Sequence, residues 1–557
     1  MARASASRAL ADLIAAEWAW RRRELAGADA EDAPALPADH LPRVDAAAQA
    51  RRGRRWQATL AALDALDVAP LAIEERLNLA VYRHTVESLA ADARLGSWQM
   101  PLNAEGGFWT DLRHNAEQVL ADPADAERYC AWLADLPRYF TDQTANLRLG
   151  LARGFTQPRA ILGGHAATLA AIGAVRDERH PLLAPLVRFA AAHPGGPGAR
   201  RLERGLALLE RAVLPAHARL ADFLAGSYLP GARTSLAACA LPDGAAWYRA
   251  QIRKFTTLDL APEAIHARGL EEVARLRALM TRTMREAGFD GDIAAFTRRL
   301  RARPQLYATD GAELIARAEA IVARIRSVLG RCFGRLPRQG FRIAAMPPEL
   351  AEHGTSGRGG AGYYLLNTSH LDQRPLHALT ALTLHEAIPG HALQMPLAAE
   401  REDLPAFRRQ AQIAAWTEGW ALYAETLGVE MGLYATPEEH FGYLDFQMWR
   451  ACRLVLDTGI HHYGWSRERA RAYLAAHTAL GAHEIGTEID RYIGWPGQAL
   501  AYYLGELAFL DARAHAEQAL GAAFDRRAFH DAVLATGPLP LTALALVARR
   551  FVAARQH

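Results

Sequence analysis

Residues 382–394 read LTLHEAIPGHALQ, and the interpretation of the whole chain depends on this stretch. It begins like the zinc-binding H-E-x-x-H pattern, in which a second histidine follows four residues after the first. Four residues after His385 stands Pro389, and the next histidine is His391. Pro389 cannot donate a backbone hydrogen bond and Gly390 readily leaves helical geometry, so the pair predicts a broken or bulged helix. Such a break would swing His391 back toward His385, whereas a chance spacing of unrelated histidines is the alternative.

A second segment, AQIAAWTEGWALYAETL (411–427), adds carboxylates to this pattern. A catalytic zinc site needs imidazole ligands, a third ligand and a carboxylate beside the metal-bound water, and Glu386 stands where that carboxylate belongs. Glu418 lies between two tryptophans in a strongly apolar helix, where a carboxylate is costly unless it is paired or bound to a metal. Glu425 lies two turns on and can orient a ligand histidine. The alternative is that both glutamates are solvated.

The third segment, WRACRLVLDTGIHHYGW (449–465), carries one polar stripe. Arg453, Asp457 and His461 recur every four residues, which places them on one helix face. Asp457 can hold His461 in one tautomer or tune its charge. The alternative is that the stripe is the solvent-exposed face of a surface helix.

The fourth segment, EIDRYIGWPGQALAYYLGEL (488–507), places basic and phenolic groups around a second Pro-Gly turn. Arg491 can bind a substrate carboxylate, and a tyrosine hydroxyl from Tyr492 or Tyr502 can stabilise an oxyanion. The alternative is ordinary helix packing with aromatic side chains.

Residues 339–367 hold the only convincing strand signal. Phe341–Ala344 and Tyr363–Leu366 are predicted as two short strands around a Gly-rich loop. We expect the strand at 363–367 to be a sheet edge that pairs with an extended substrate, and the loop at 357–362 to close over it. This assigns substrate contacts to Gly362, Tyr363 and Tyr364. After it, helices are expected at roughly 375–394, 405–430, 438–462 and 467–480.

Composition limits the class of protein. Of 557 residues, 51% are apolar and 22% charged, as in ordinary globular proteins. The net charge of +3, from 64 basic and 61 acidic residues, gives no reason to expect a nucleic-acid or membrane partner. The four cysteines form no C-x-x-C pair, so any metal must use histidine and carboxylate ligands. The N-terminal residues predict an amphipathic helix rather than a signal peptide, and no transmembrane segment is seen, which favours a cytoplasmic protein unless a signal has been removed.

Taken together, LHEAIPGHALQ, WTEGWALYAE, RLVLDTGIHHYGW and EIDRYIGWPGQALAYYLG resemble a bacterial family known as domain of unknown function 885. The match extends upstream to GAGYYLLNT and to residues 247–276, and so covers nearly the whole chain. Members look like distant relatives of the helical zinc peptidases. Ala392 stands where many members have a second histidine, and Tyr503 where a lysine is frequent.

The resemblance implies a mainly α fold with a small sheet beside the active-site helix. It also implies one zinc ion per chain, bound by His385, His391 and Glu418, with Glu386 as general base. If His391 does not reach the metal, the local substitutes are His370, His377 and His462.

These inferences combine into a zinc-dependent hydrolase that cleaves small or unstructured peptides, as a carboxypeptidase, dipeptidase or oligopeptidase. In this mechanism His461 and Tyr502 stabilise the oxyanion, and Arg491 or Arg453 binds a terminal carboxylate. The alternatives are a zinc amide hydrolase acting on a small molecule, or an inactive peptide-binding scaffold.

For the domain organisation, we expect residues 1–338 to form a helical wall of the cleft, with a sub-boundary near 193–201. Residues 339–557 are expected to form the catalytic region. The oligomeric state is left open.

Overall fold

The computed structural model describes residues 2–26, 38–112, 117–351 and 355–556. The chain groups into two compact units. The first comprises residues 1–250 and 493–495, and the second residues 251–492 and 496–557. Helices make up 71% of the structure, which confirms the predicted mainly α fold with a small sheet. The expected division at residue 339 concerns the location of catalytic groups and stays a prediction.

The first unit is built from helices of mixed length. They are α1 (Ala2–Glu24), α2 (Ala46–Asp64), α3 (Ile73–Leu95), α4 (Phe108–Asp111), α5 (Pro123–Arg153), α6 (His165–Ala174), α7 (Ala184–Ala192), α8 (Gly196–Leu208), α9 (Leu214–Phe223) and α10 (Leu229–Gly231). π-helical turns at Leu209–Val213 and Leu224–Tyr228 join the last three. Residues 193–201 contain the connection from α7 to α8 within this unit.

Helix α11 (Gly244–Thr256) contains the point of division, and the remaining helices follow it. They are α12 (Pro262–Glu286), α13 (Ile293–Arg301), α14 (Gly311–Leu329), α15 (Pro348–Ala351), α16 (Leu376–Glu386), α17 (His391–Ala399), α18 (Ala406–Arg409), α19 (Ala414–Glu430), α20 (Pro437–His461), α21 (Arg467–His477), α22 (Ala482–Gly494), α23 (Leu500–Leu520), α24 (Arg526–Leu534) and α25 (Leu541–Gln556). No described helix is both long and apolar enough to cross a membrane.

Local sequence signals explain where several of these helices begin. Asp310 caps α14 by accepting a hydrogen bond from the backbone N–H of Glu313. Thr436 caps α20 in the same way, and Pro437 occupies the first helical position, where its missing N–H costs nothing. The predicted helices at 438–462 and 467–480 correspond closely to α20 and α21, because both carry a clear start signal.

The sheet has three strands, β1 (Arg342–Ala345), β2 (Gly357–Gly360) and β3 (Tyr363–Leu366), in the order β1-β3-β2. β3 pairs in parallel with β1 and antiparallel with β2. The prediction that strand 363–367 is an edge is therefore wrong, since β3 is central and both its sides are paired. The predicted loop 357–362 is also wrong, because most of it is β2, an edge strand. Glycine-rich sequence has low strand propensity, so pairing with β3 decided its conformation.

Four helices of the second unit, α16, α19, α20 and α23, pack against one another. α19 packs against α16 and α23, and α20 packs against α16 and α23. Trp416 and Trp420 of α19 are almost fully buried, and each such side chain contributes roughly 1.5–3 kcal/mol by leaving water. A β-carbon on Gly419 would lie 2.5 Å from the backbone of Gly505, so these glycines let α19 approach α23 closely. This approach sets the position of the polar groups on both helices.

Candidate metal centre

The broken helix predicted around Pro389 is present. α16 ends at Glu386 and α17 begins at His391, with a cis peptide bond before Pro389 in the connection. A β-carbon on Gly390 would lie 1.9 Å from the carbonyl oxygen of His385, a distance no side chain tolerates. Glycine is therefore required where the chain turns back on the end of α16. The turn places the first residue of α17 beside the last turn of α16.

His385, His391 and Glu418 come together at this break. Their ligand atoms all lie within 4.8 Å of one another, and the two imidazole rings are 4.9 Å apart and nearly perpendicular. Nε2 of each histidine is 3.5 Å from Oε2 of Glu418. Ligands about 2.1 Å from a tetrahedral zinc ion lie roughly 3.4 Å from each other. The spacing and the donor set therefore fit a divalent metal such as zinc, and the group implied by the sequence can hold a metal ion.

Glu425 holds the first histidine in the tautomer that metal binding needs. His385 donates from Nδ1 to Glu425 Oε1 at 2.8 Å, which leaves Nε2 facing Glu418. Glu425 is fully buried, and Arg450 Nη2 lies 3.7 Å from the same oxygen. Burial lowers the pKa of His385, but hydrogen bonds to Glu418 and Glu425 outweigh it and raise the pKa to about 9. The solvated alternative for Glu425 is wrong, because the carboxylate is paired inside the core.

The second histidine has a different partner. Nδ1 of His391 lies 3.0 Å from the Gln394 amide, which also donates to the Thr417 carbonyl at 2.7 Å. Gln394 therefore fixes the ring in position from the first turn of α17.

Glu386 stands beside the triad and is held by β2. The Gly359 N–H donates to Glu386 Oε2 at 2.5 Å. A β-carbon on Gly359 would lie 2.0 Å from the Glu386 carbonyl oxygen, so only glycine allows β2 to pass so close. Glu386 keeps partial exposure, unlike the buried residues around it. One carboxylate oxygen is thus fixed by the sheet edge while the group remains accessible.

A network of charged and phenolic side chains lies behind Glu418. Tyr502 is partly exposed, and burial together with the negative charge of Glu418 raises the pKa of its hydroxyl. The Arg453 guanidinium lies 4.3 Å from the centre of the Tyr502 ring. Arg491 donates to both carboxylate oxygens of Glu488 at 2.9 Å. Tyr502 is therefore a neutral hydroxyl donor close to the triad.

Known proteins share this architecture. Residues 25–547 match the family described as bacterial proteins of unknown function, DUF885. The chain belongs to the DUF885 family. No curated protein matches it in sequence.

Two solved structures have the same fold as this DUF885 chain. A candidate lipoprotein from Colwellia psychrerythraea is 24% identical, with a TM-score of 0.88 over 100% of both chains. A candidate lipoprotein of unknown function from Shewanella oneidensis is 17% identical, with a TM-score of 0.75 over 97% of this chain and 99% of that one. At these identities the likeness shows the fold alone.

The predicted stripe of α20 in the DUF885 chain lies inside the protein. Arg453, Asp457 and His461 are 3%, 0% and 0% exposed, so the alternative that they form a solvent-exposed face is wrong. His461 donates from Nε2 to the Tyr492 carbonyl at 2.8 Å. That nitrogen is occupied in the core, which contradicts the predicted oxyanion role for His461. The Gly497 N–H donates to both carboxylate oxygens of Asp457, so Asp457 orders the Pro-Gly turn that leads to Tyr502.

Three residues predicted to contact the substrate are also buried and hydrogen-bonded within the protein. Tyr364 is fully buried with its hydroxyl 3.3 Å from Thr383 Oγ1. Tyr492 is buried and donates to Glu488 at 2.6 Å, and Arg453 donates to the same carboxylate at 2.9 Å. Side chains enclosed in this way do not reach a substrate, so these three assignments are wrong.

The other predicted contacts have mixed placements. Gly362 has a left-handed φ of 86° in the turn between β2 and β3, so its role there is conformational. Tyr363 is partly exposed on β3 and stays a predicted contact. Of the substitute ligands, none joins the triad: His462 pairs with Glu263 at 2.9 Å, and the His370 ring lies 6.5 Å from that of His483. His377 lines a separate cavity.

Sequence reasoning missed four residues that position the centre: Gln394, Arg450, Glu488 and Gly359. Gln394 follows His391 by three residues, and this spacing brings side chains together on a helix, so it carried a usable signal. Glu488 follows the same rule with Arg491. No signal in the sequence indicated Gly359, because its contact with Glu386 depends on the sheet lying against the end of α16.

Proposed function

We propose that this protein is a zinc-dependent hydrolase that cleaves peptide bonds of small or unstructured peptides. One observation carries the proposal: the ligand triad has Glu386 beside it, partly exposed and held by the Gly359 N–H. A purely structural metal site has closed coordination and no need of an accessible carboxylate next to a ligand. His385, His391 and Glu418 would hold one zinc ion, which supplies a Lewis acid and a water of lowered pKa.

The chain's own residues supply the proton transfers. Glu386 would take a proton from the attacking water and pass it to the leaving amine, as a general base and then a general acid. The Gly359 N–H holds one of its carboxylate oxygens, which leaves the other oxygen available for the proton. The neutral Tyr502 hydroxyl would donate to the oxyanion, a contribution of roughly 3 kcal/mol in comparable sites.

The edge strand β2 gives the substrate a place to pair. Its far side carries no strand among the described residues, and an extended peptide can add to such an edge through main-chain hydrogen bonds. Because β2 also contacts Glu386, a peptide paired there would lie along the general base. This geometry supports an extended peptide over a compact small-molecule amide.

Arg491 is the remaining candidate for a substrate carboxylate. Its guanidinium is paired with Glu488, but Arg453 shares that single carboxylate, so two cations face one anion. The surplus positive charge supports binding of a C-terminal carboxylate, which would favour a carboxypeptidase or dipeptidase. Cleavage of a peptide before and after C-terminal amidation would test this assignment, since amidation is expected to abolish cleavage by such an enzyme.

The metal content of protein purified without added metal tests the centre. Wild type is expected to carry about one zinc per chain, and His391→Ala to lose it because two ligands remain. Full zinc in the variant would mean that another residue is the ligand. An absence of zinc even after reconstitution would favour a peptide-binding scaffold.

Glu386→Gln tests the chemistry separately from the metal. Peptide hydrolysis is expected to fall by at least about a hundredfold, because a positioned base contributes roughly 10²–10⁴-fold. Zinc content should stay unchanged, since Glu386 is not in the ligand triad. Activity retained in this variant would refute the base assignment.

The cytoplasmic location stays a proposal. It rests on the absence of a membrane-spanning helix among the described residues, whereas the two solved relatives are described as candidate lipoproteins. Fractionation of the native host with an antibody to this chain would decide between cytoplasm and envelope.

A further inference from the structure

A partly open cavity lies within the second unit, and none of the triad residues lines it. The cavity has a volume of about 320 Å³, within the roughly 300–1,000 Å³ usual for small-molecule sites. Much of its wall is apolar, formed by Leu300, Leu314, Leu379, Phe446 and Leu480. A ligand for this space must therefore carry an apolar body.

Three carboxylates line this cavity, and two of them, Asp445 and Glu484, are at least partly buried, whereas Asp372 is exposed. Asp445 accepts one hydrogen bond, from the Ala479 N–H at 2.7 Å, and Glu484 accepts none from the described part of the chain. Within the described ranges, neither carboxylate forms an ion pair. Burial raises the pKa of each to about 7, and the negative charge of Glu488 adds to the shift at Glu484. Carboxylates that line a largely apolar cavity without an ion-pair partner favour a cationic ligand.

His377 adds an acceptor to the same wall. It is 7% exposed, and neither ring nitrogen has a hydrogen-bond partner among the residues the structure describes. Burial lowers its pKa to about 4, so the ring is neutral and offers one acceptor nitrogen. Unpaired buried polar atoms are rare in folded proteins and call for a partner.

Two arginines also line the cavity, and both are held by neutral groups. Arg301 donates to the Ala479 and Leu480 carbonyls. Arg374 donates to the Ser369 carbonyl and the Ser356 hydroxyl. Their charges only partly offset the raised pKa values of Asp445 and Glu484, because these bonds fix both guanidinium groups in the wall. The two carboxylates and His377 therefore remain open to a ligand.

We propose that this cavity binds an organic cation, an ammonium or guanidinium group carried on an apolar stem. Asp445 and Glu484 would receive its charge, and the neutral His377 ring would accept one of its hydrogen bonds. The apolar wall would bury the stem.

The position of the cavity along α16 connects it to the metal centre. Leu382 and His377 line it three and eight residues before His385, which corresponds to roughly 5 and 12 Å along a helix. An extended peptide covers about 10 Å in three residues. The identity of the cation rests on the proposed function. If the substrate is a peptide, the cation would be its N-terminal ammonium or one of its basic side chains.

Calorimetric titration of the full chain with hexylamine tests the cavity directly. Hexylamine is expected to bind, while hexan-1-ol and hexanoate, matched in their apolar stems, bind at least about tenfold more weakly. No binding of hexylamine, or equal binding of the alcohol or the acid, would overturn the proposal without requiring any variant.

Glu484→Gln and Asp445→Asn sharpen the test, because each removes a charge and keeps the side-chain shape. Each is expected to weaken hexylamine binding by about tenfold or more. Glu319→Gln, at an exposed site on α14, removes the same charge outside the cavity and should leave binding unchanged. An equal loss in Glu319→Gln would overturn the assignment to the cavity.

Peptide kinetics then distinguish the two sources of the cation. A higher KM after N-terminal acetylation would show that the bound cation is the N-terminal ammonium of the peptide. A higher KM after lysine is replaced by norleucine would show that it is a basic side chain. If neither change affects KM although hexylamine binds, the cavity is not a substrate subsite. If no peptide is cleaved while hexylamine binds, the proposed function fails and the cation site stands.

Discussion

Two pairs of buried histidines differ in their partners, and only one of them belongs to the candidate metal centre. His385 and His391 lie with ring centres 4.9 Å apart, and His180 and His217 of the first unit lie 6.4 Å apart. All four are at most 7% exposed. The difference is in their partners: carboxylates Glu418 and Glu425 face the first pair, whereas Nδ1 of His180 accepts from the Leu182 N–H and Nδ1 of His217 bonds to the Val213 carbonyl.

The hydrogen-bond partners decide whether the pKa of a buried imidazole is lowered or raised. Burial lowers the pKa of His180 to about 4, and the neighbouring His217 adds to this shift. At His385 the same burial is outweighed by two carboxylates, and the pKa rises to about 9. The same two carboxylates would stabilise a metal cation that replaces this proton on the imidazole, because both are positive charges facing the same anions. Carboxylates, rather than proximity of histidines, therefore distinguish the candidate metal centre.

Removing the shared carboxylate should produce the largest change in this comparison. Glu418→Gln leaves two histidines without an anionic ligand, so bound zinc should be lost and hydrolysis reduced to background. Elemental analysis and peptide hydrolysis measure the two effects. Glu517→Gln is the matched control, because it removes a carboxylate that pairs with Arg513 on α23, outside the triad, and should retain zinc. Full zinc in Glu418→Gln would show that the histidines hold the metal without this carboxylate.

Neutralising the outer carboxylate should give a smaller loss. Glu425→Gln keeps a side chain of the same size beside His385 but removes its charge. Zinc affinity is expected to fall about 10–100-fold, the usual cost of changing a partner that orients a ligand. Competition with a chelator measures the affinity. An unchanged affinity would mean that the charge of Glu425 does not contribute to the centre.

Gln394→Leu removes the polar partner of His391 and preserves a similar volume. We expect zinc affinity to fall by about tenfold, at the lower end of such effects, because Gln394 is neutral. The same chelator competition applies. A loss as large as that of Glu418→Gln would indicate that α17 itself has been displaced, which circular dichroism would detect.

The smallest expected effect is on the stability of the protein and concerns His180, in the histidine pair without carboxylate partners. The folded-state pKa of His180 is lowered to about 4, so the unfolded chain binds a proton first as the pH falls below about 6.5. This contribution to stability is present above pH 6.5 and is lost as the pH falls toward 4, by roughly 2 kcal/mol at pH 5. His180→Asn, which retains a capping side chain, should lose less stability over this range in denaturant titrations. An identical pH dependence in both proteins would contradict the assignment.

The metal centre was predictable in part from the sequence. The residues of 382–394 and 411–427 supplied the candidates, the resemblance to the family implied the three ligands, and Pro389-Gly390 indicated the break between α16 and α17. The roles assigned to His461 and Tyr364 failed for a shared reason: polar side chains in an apolar segment can face a cleft or a buried network, and periodicity does not distinguish these cases.

The sequence by itself determined the helical character of the chain, its family and the residue types that can hold a metal, because periodicity and local backbone chemistry act over a few residues. Only the tertiary structure decided which groups meet. β2 formed from glycines because β3 was there to pair with it, and Gly359 reached Glu386 because the sheet lies against the end of α16. Such contacts join residues distant in sequence, and they depend on packing that no local pattern records.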